Sequence, residues 1–545
     1  PQRLAPHLKM LQPLNNNAKR VKTSQSVSIP APVRGWNARD SLANMPEDFA
    51  VSLENVFPNL TSCDLRSGYE SHSTGNGTGA VETLVEYAGP VTRKLLSAAG
   101  SVIYDSSAAG VSTAIATGKT NGRWQTTMMG TAGGSFLFMV NGADAPIYYN
   151  GSAFVTPTLS SVTATNIIGV TTHQRRLFFV FTGSLTFGYL PVVSVAGTVS
   201  TFDLSGLCRK GGYLMAIGSW TRDGGSGPDD LFAAITSEGE VILYSGNDPS
   251  TAADWVLSGV FSIGKPIGRR CIEKVGADLI VITQDGAISL TTFLPIDQVG
   301  STSMAMSTNI QNEFLASARN YSSNFGWQSL HYPQGSYQLF NIPLSTTESV
   351  QYVINTQTGA WCKFTNQNAA CWCLYNGDLY FGGQLPQQFE SVGATWDVSK
   401  WDESYWTLTG GAIYKADIGV SDDTDNISWE IRPAFSYYGA RGNQKLFTLC
   451  RPNFTSNGSP SFAIDLNVNF SNQTPTSVPT IPAIPGAIWD VAKWDEAYWT
   501  GESQVSKWVT VTGFGEAASP AIHGTSQLEM KFNSYDMIWQ QGNAI

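Results

Sequence analysis

Along most of the chain the apolar residues fall into pairs of short runs, and a turn containing glycine separates the two runs of each pair. Helical periodicity is almost absent. The pairs are LLSAAGSVIYD around Gly100, FLFMVNGADAPIYY around Gly142, LFFVFTGSLTFGY around Gly183 and LFAAITSEGEVILYS around Gly239. They continue as DLIVITQDGAISLT around Gly286, SLHYPQGSYQLFNI around Gly335 and CWCLYNGDLYFGG around Gly377. Each predicts a β-hairpin, because glycine reaches the positive φ of a tight reversal without a steric cost. The turn glycines are 42, 41, 56, 47, 49 and 42 residues apart. One prominent hairpin per forty-odd residues is the spacing of four-stranded propeller blades. The expected fold is therefore all-β: a β-propeller of about seven blades over residues 81–424. A large sandwich or barrel built from the same hairpins is the rival. Runs that stay apolar over four or five positions favour blades packed on both faces.

From about Asp425 the pattern becomes clean alternation, as in ISWEIRPAFSYY, KLFTLCRPNF and FAIDLNVNF. Such strands have one wet face, so residues 425–545 are expected to form a β-sandwich-like domain. Residues 29–80 are Pro-rich and read as an extended segment leading into the first blade, and residues 1–28 as a basic flexible arm. No acid precedes Asp40, whereas Arg3, Lys9, Lys19, Arg20, Lys22 and Arg34 do. The arm is either disordered or orders on a partner or nucleic acid.

One internal repeat is sharp. ATWDVSKWDESYWT at 394–407 and AIWDVAKWDEAYWT at 487–500 agree at 11 of 14 positions. They place Trp396, Trp401 and Trp406, then Trp489, Trp494 and Trp499, five residues apart, a spacing that suits neither strand nor helix. These are read as loops with anchored tryptophans, either docking a partner or clamping within one subunit.

Composition narrows the function. Charged residues make up 14% of 545, against about 25% in ordinary chains. The net charge of −10 argues against a chain built to grip nucleic acid. Seven scattered cysteines imply buried free thiols and no metal site, with Cys371 and Cys373 on one face of a strand. No secretory signal and no membrane span is visible. Catalytic patterns fail at specific positions. The ATGKT ending at Thr120 lacks the first glycine of a phosphate loop, since position 113 is Thr. The serine Ser226 lies in GGSGP, where Pro228 replaces the closing glycine. The SDDTDN cluster at 421–426 offers Asp423 and Asp425 but then Ile427 where a calcium loop needs oxygen, so it is read as a solvated turn. Sialidase-type S-x-D-x-G-x-T-W turns are missing as well. No enzyme activity, cofactor or metal is expected.

The stretch IPAPVRGWNARDSLANMPEDFAVSLENVFPNLTSCDLRSGYESH, residues 29–72, resembles a family of phage and prophage tail structural proteins. The likeness continues through RWQTTMMGTAGGSFLFMVNGADAPIYYNGSAF, RKGGYLMAIGSWTRDGG, IGRRCIEKVGADLIVITQDG, AFSYYGARGNQKLF and WDVAKWDEAYW. Arg34-Gly35 stands where that family has Gly-Gly. The resemblance implies a hub or nozzle of a short tail, made in the host cytoplasm and assembled into the virion. It implies a homo-oligomeric sixfold ring below a head–tail adaptor protein, with tail spikes or fibres and a plug or needle as further partners. Double-stranded DNA would pass through the lumen without specific binding, past a wall that carries part of the acid excess. Arg34, Trp36, Asn37, Arg39 and Asp40, with the six repeat tryptophans, are the candidate interface residues. A receptor- or glycan-binding propeller of the virion is the alternative.

Overall fold

A computed structural model describes residues 24–77, 79–223, 228–293, 305–384, 411–477 and 503–542. The chain is all-β, 53% strand and 5% helix, with a propeller-like arrangement of five blades beside a nearly closed barrel. Blades one to four are four-stranded antiparallel sheets over residues 83–116, 125–155, 167–203 and 214–262, and blade five is three-stranded over 272–289.

The predicted reversals are hairpin turns. Gly100, Gly142, Gly183, Gly239, Gly286 and Gly377 all have positive φ. At the sixth turn Ser336, with φ 56°, takes that conformation in place of Gly335. The apolar runs are continuous because each blade is covered on both sides. On the strand Arg176–Phe181, Leu177 and Phe179 pack with Phe138 and Val140 of blade two. Phe178 and Val180, on the opposite face, pack with Phe232 and Ala234 of blade four. Side chains alternate across a strand, so a strand buried on both faces reads as an unbroken apolar run.

The blade count differs from the expected seven. The hairpins around Gly335 and Gly377 do not form separate blade sheets. They are hydrogen-bonded into one sheet of 14 strands. One meander runs from Gln328–Tyr332 to Trp361–Phe364, whose edge pairs in parallel with Ala50–Glu54. The other comprises Ala369–Tyr375, Asp378–Gly383 and Ile413–Ala416, and its fourth strand is supplied by Tyr69–Thr74 from near the start of the chain. Ala369–Tyr375 also lies beside Thr83–Ala88 of blade one, and Gln328–Tyr332 beside Ile272–Val275 of blade five, which closes the circle. Turn spacing counts hairpins. It is blind to the distant partner that joins a hairpin to a larger sheet.

The C-terminal strands also depart from a chain-contiguous sandwich. Asp425–Pro433 lies between Ala50–Glu54 and Ala518–Ser526, with Ser461–Val468 beyond. Lys445–Ser456 pairs with Met530–Gln541, and the latter pairs with Gln25–Pro30 and Cys63–Leu65. Together the strands curl into the nearly closed barrel, with Phe454 against Trp429, Phe462 and Phe532 at 5.4–5.8 Å between ring centres. The first and last described strands are therefore neighbours. A short helix, Gln311–Tyr321, seats Phe314 against Trp327 and Tyr352 in the same core.

Part of the SDDTDN cluster is not a solvated turn. Asp422 is 4% exposed and takes both Nη1 and Nη2 of Arg66, at 2.7 and 2.6 Å, while Arg66 is itself 2% exposed. Arg66 also donates from Nε to Asn55 Oδ1 at 2.8 Å and from Nη2 to the Thr365 carbonyl at 2.9 Å. Asn55 in turn donates to Thr365 Oγ1 and the Ser428 carbonyl, both at 2.7 Å. A buried charge persists only when paired and fully hydrogen-bonded. This network meets that demand, and it ties three stretches distant in sequence together.

Candidate functional site

The first strands of the blades border the propeller axis, where they leave a cavity of about 280 Å³. Its upper rim is the link between blades four and five, which carries Arg269 and Arg270. Arg270 reaches across to blades one and two. Its Nη2 donates to the Glu82 carbonyl at 2.9 Å, Thr83 Oγ1 at 2.7 Å and the Trp124 carbonyl at 3.2 Å. Thr83 is built for this junction: it also donates to the Gly122 carbonyl at 2.6 Å and accepts the Trp124 N–H at 3.0 Å. The guanidinium thus clips two blades to a third element, and its Nε and Nη1 have no partner among the described residues.

Arg269 lies over the blade-two turn, with Nη1 3.5 Å from the Asn141 carbonyl. A Cβ on Gly142 would meet Ile168 Cγ2 at 2.7 Å and Arg269 Nη1 at 3.2 Å, so this turn requires glycine for both its φ of 73° and its close approach. Arg123 pairs with Glu82 at 2.7 Å. Arg123 and Arg270 both stand over the Phe325 ring, at 4.6 and 5.3 Å from its centre. A second cavity of about 380 Å³, at the mouth of the first, is lined by all three arginines, by Phe325 and by amide and hydroxyl side chains, with no carboxylate among the described lining residues. Burial lowers the pKa of both Arg269 and Arg270 from its ordinary value, and the neighbouring Arg123 pushes the same way.

Deeper along the axis, Glu273 borders the first cavity. Desolvation raises its carboxyl to about 7, against one backbone N–H from His331 that lowers it. Its side chain is only half-buried because the cavity gives water-sized space beside it.

The expected interface residues sit elsewhere. Trp36 is buried, edge-on to Tyr352 at 5.2 Å, and its backbone N–H donates to the Trp361 carbonyl at 2.6 Å. Asn37 is also buried. Its Oδ1 accepts the backbone N–H of Arg39 and of Asp40 at 3.0 Å each, and its Nδ2 donates to Asp40 Oδ2 at 2.8 Å. Arg39 pairs with Asp40 at 2.8 Å. The Arg39 neighbour and the Asn37 hydrogen bond hold the Asp40 carboxyl below its ordinary range. Arg34 stands over the Phe49 ring at 4.4 Å and within 3.8 Å of Asp48. Trp36 and Asn37 therefore serve the fold, and Arg34 and Arg39 keep solvent-facing charge. Trp396, Trp401, Trp406, Trp489, Trp494 and Trp499 lie outside the described residues. Cys371 and Cys373 share one apolar cluster, consistent with their two-residue spacing on a strand. Thr120 of the ATGKT stretch donates from N and Oγ1 to Asp144, at 2.8 and 2.7 Å.

Sequence reasoning did not single out the three arginines. Its one available signal was the twin Arg269-Arg270 ahead of a strand. Nothing in one sequence links that pair to Arg123, on the other side of three blades. Compared with known protein families and with curated proteins, the chain matches none. Among the described residues no helix is long and apolar enough to cross a membrane.

Proposed function

We propose that this chain is a structural subunit of a short phage tail, a hub or nozzle component that assembles into a sixfold ring below a head–tail adaptor. The reading starts from the likeness of residues 29–72 and the later stretches to tail structural proteins. One observation supports it most: the N-terminal segment is woven through the whole body. Tyr69–Thr74 completes the last propeller meander, and Gln25–Pro30 pairs with the final strand Met530–Gln541. A body fastened at both ends resists being pulled open, which suits a part that transmits mechanical load. The axial cavity of about 280 Å³ holds roughly nine waters at about 30 Å³ each. A duplex whose major groove alone is about 12 Å wide does not fit there. The conduit for DNA therefore runs between copies, and the propeller is its wall. Spikes or fibres and a plug or needle dock on the outer and lower faces. The role is mechanical, with no covalent step assigned to any residue.

Native mass spectrometry and electron cryomicroscopy of the purified chain, alone and with the adaptor, test this directly. Six copies around a central opening, with the propeller axes off the ring axis, are expected. A chain that stays monomeric with its adaptor present, or that is missing from purified virions, overturns the reading.

A further inference from the structure

We propose that the axial mouth formed by Arg123, Arg269 and Arg270 binds a single phosphate group, either free phosphate or the monoester of a small sugar. Charge and donor count at the mouth point to this ligand, independently of any role in a tail. In a chain of net charge −10, three guanidinium groups converge on one cavity of about 380 Å³ that no described carboxylate lines. Arg123 is neutralised by Glu82 at 2.7 Å. Asp144 is turned towards Thr120 and Asn141, with a hydrogen bond of 2.7 Å to each, and Glu273 borders the deeper cavity and not this one. Among the described residues neither Arg269 nor Arg270 has an ion-pair partner, so two positive charges are left over at the mouth. A phosphate monoester carries about −1.5 to −2 at pH 7, which matches that excess.

Donor geometry points the same way. Arg270 uses Nη2 alone on the protein, and Arg269 uses one long contact to the Asn141 carbonyl. The remaining N–H groups of both outnumber what a carboxylate accepts and suit the three free oxygens of a phosphate monoester. Asn121 and Ser322 line the same cavity and supply polar groups for hydroxyls next to the phosphate, while the Asn324 amide is held by the Pro343 and Leu344 carbonyls. Phe325 lines the cavity beneath the guanidinium groups of Arg123 and Arg270 and helps to hold them there. Like-charge repulsion and burial oppose two adjacent guanidinium groups, and a bound dianion relieves both.

The test is isothermal titration of the full chain at constant ionic strength with inorganic phosphate, glucose 6-phosphate or sodium chloride. Wild type is expected to bind at least one phosphate probe saturably and to ignore chloride. Arg269 is exposed and its one contact, to the Asn141 carbonyl, is long at 3.5 Å, so R269Q is expected to melt like wild type in phosphate-free buffer yet bind about tenfold more weakly or worse. R269K keeps the charge and loses the fork, and should fall between the two. Phosphorus NMR line broadening gives a second readout on the same three proteins. Tighter binding of glucose 6-phosphate identifies a phosphosugar as the ligand class, and tighter binding of inorganic phosphate identifies the free ion. Equal affinity of wild type and R269Q overturns the proposal. So does a chain that binds a short oligonucleotide at this mouth while ignoring both small phosphates.

Discussion

His173 is buried and Glu273 half-buried, and their pKa values move in opposite senses, which gives the chain two opposing pH signatures. His173 is 1% exposed among the rings of Phe178, Phe232 and Trp255 and makes a 2.9 Å hydrogen bond to Ser219 Oγ. Desolvation lowers its pKa from 6.5 to about 4, with Asp230 opposing that shift and Lys274 adding to it. The folded protein therefore holds His173 neutral. Its contribution is complete above about pH 6.5 and is lost as the pH falls towards 4, by up to about 3 kcal/mol. For Glu273 the folded value is raised from 4.5 to about 7. That contribution is complete below pH 4.5 and is lost as the pH rises through 7, again by up to about 3 kcal/mol. In urea melts from pH 4 to 8 the two contributions should largely cancel in wild type between about pH 4.5 and 6.5, whereas H173F should lose stability as the pH rises from about 4.5 to 7 and E273Q should gain it as the pH rises from about 4 to 6.5. Unchanged slopes in both variants would contradict the assigned environments. At Asp422 the effect is one of pairing. D422N leaves Arg66 buried without its counter-charge and is expected to lower stability by about 3–5 kcal/mol. The double variant R66M/D422L, which removes both charges, should recover much of that loss in the same urea melts.

At the scale of elements, the pattern of residues was most informative where partners are local. The run Leu177–Phe181 reads as a strand covered on both faces, and it is one, with Phe178 turned to blade four and Phe179 to blade two. Phe178→Ala removes a ring with no exposed surface and is expected to cost about 3–5 kcal/mol by urea denaturation. A cost below 1 kcal/mol would mean the blades do not pack as described. What stayed hidden is pairing across hundreds of residues. Tyr69–Thr74 has no feature that names Ile413–Ala416 as its neighbour, and Glu54 none that names Lys363. The hairpins at Gly335 and Gly377 were legible, but their absorption into the large sheet was not, since an edge strand's partner is a tertiary fact. The candidate site follows the same rule. Arg269 and Arg270 are adjacent in sequence and visible, whereas their convergence with Arg123 and Phe325 exists only once the blades have closed into a circle. Asp422 shows the reverse error. An acidic, turn-rich string looks solvated until its one buried member meets a buried arginine.

For the whole molecule, the consequence of this long-range weaving is that propeller and barrel share their framework. Residues 425–545 alternate so cleanly that they look like a self-contained sandwich. Yet Asp425–Pro433 is flanked on one side by Ala50–Glu54, and Met530–Gln541 by Gln25–Pro30 and Cys63–Leu65. Without those strands, two edges that are paired in the full chain would expose their N–H and C=O groups, and exposed edges of this kind favour aggregation. The barrel core would also lose Ile29, Ala50, Leu53 and Val56, all nearly fully buried. Burial of one such aliphatic side chain contributes about 1.5–3 kcal/mol, and a domain's net stability is only about 5–15 kcal/mol. A fragment spanning 425–545 should accordingly show no cooperative thermal transition and should aggregate, whereas the full chain should unfold in one calorimetric step because both halves depend on the same sheet. Adding a peptide of residues 24–65 to the fragment should restore a transition, as the strands Gln25–Pro30, Ala50–Glu54 and Cys63–Leu65 return together. If the fragment instead melts cooperatively by itself, the barrel is an independent domain, and the N-terminal segment only decorates it.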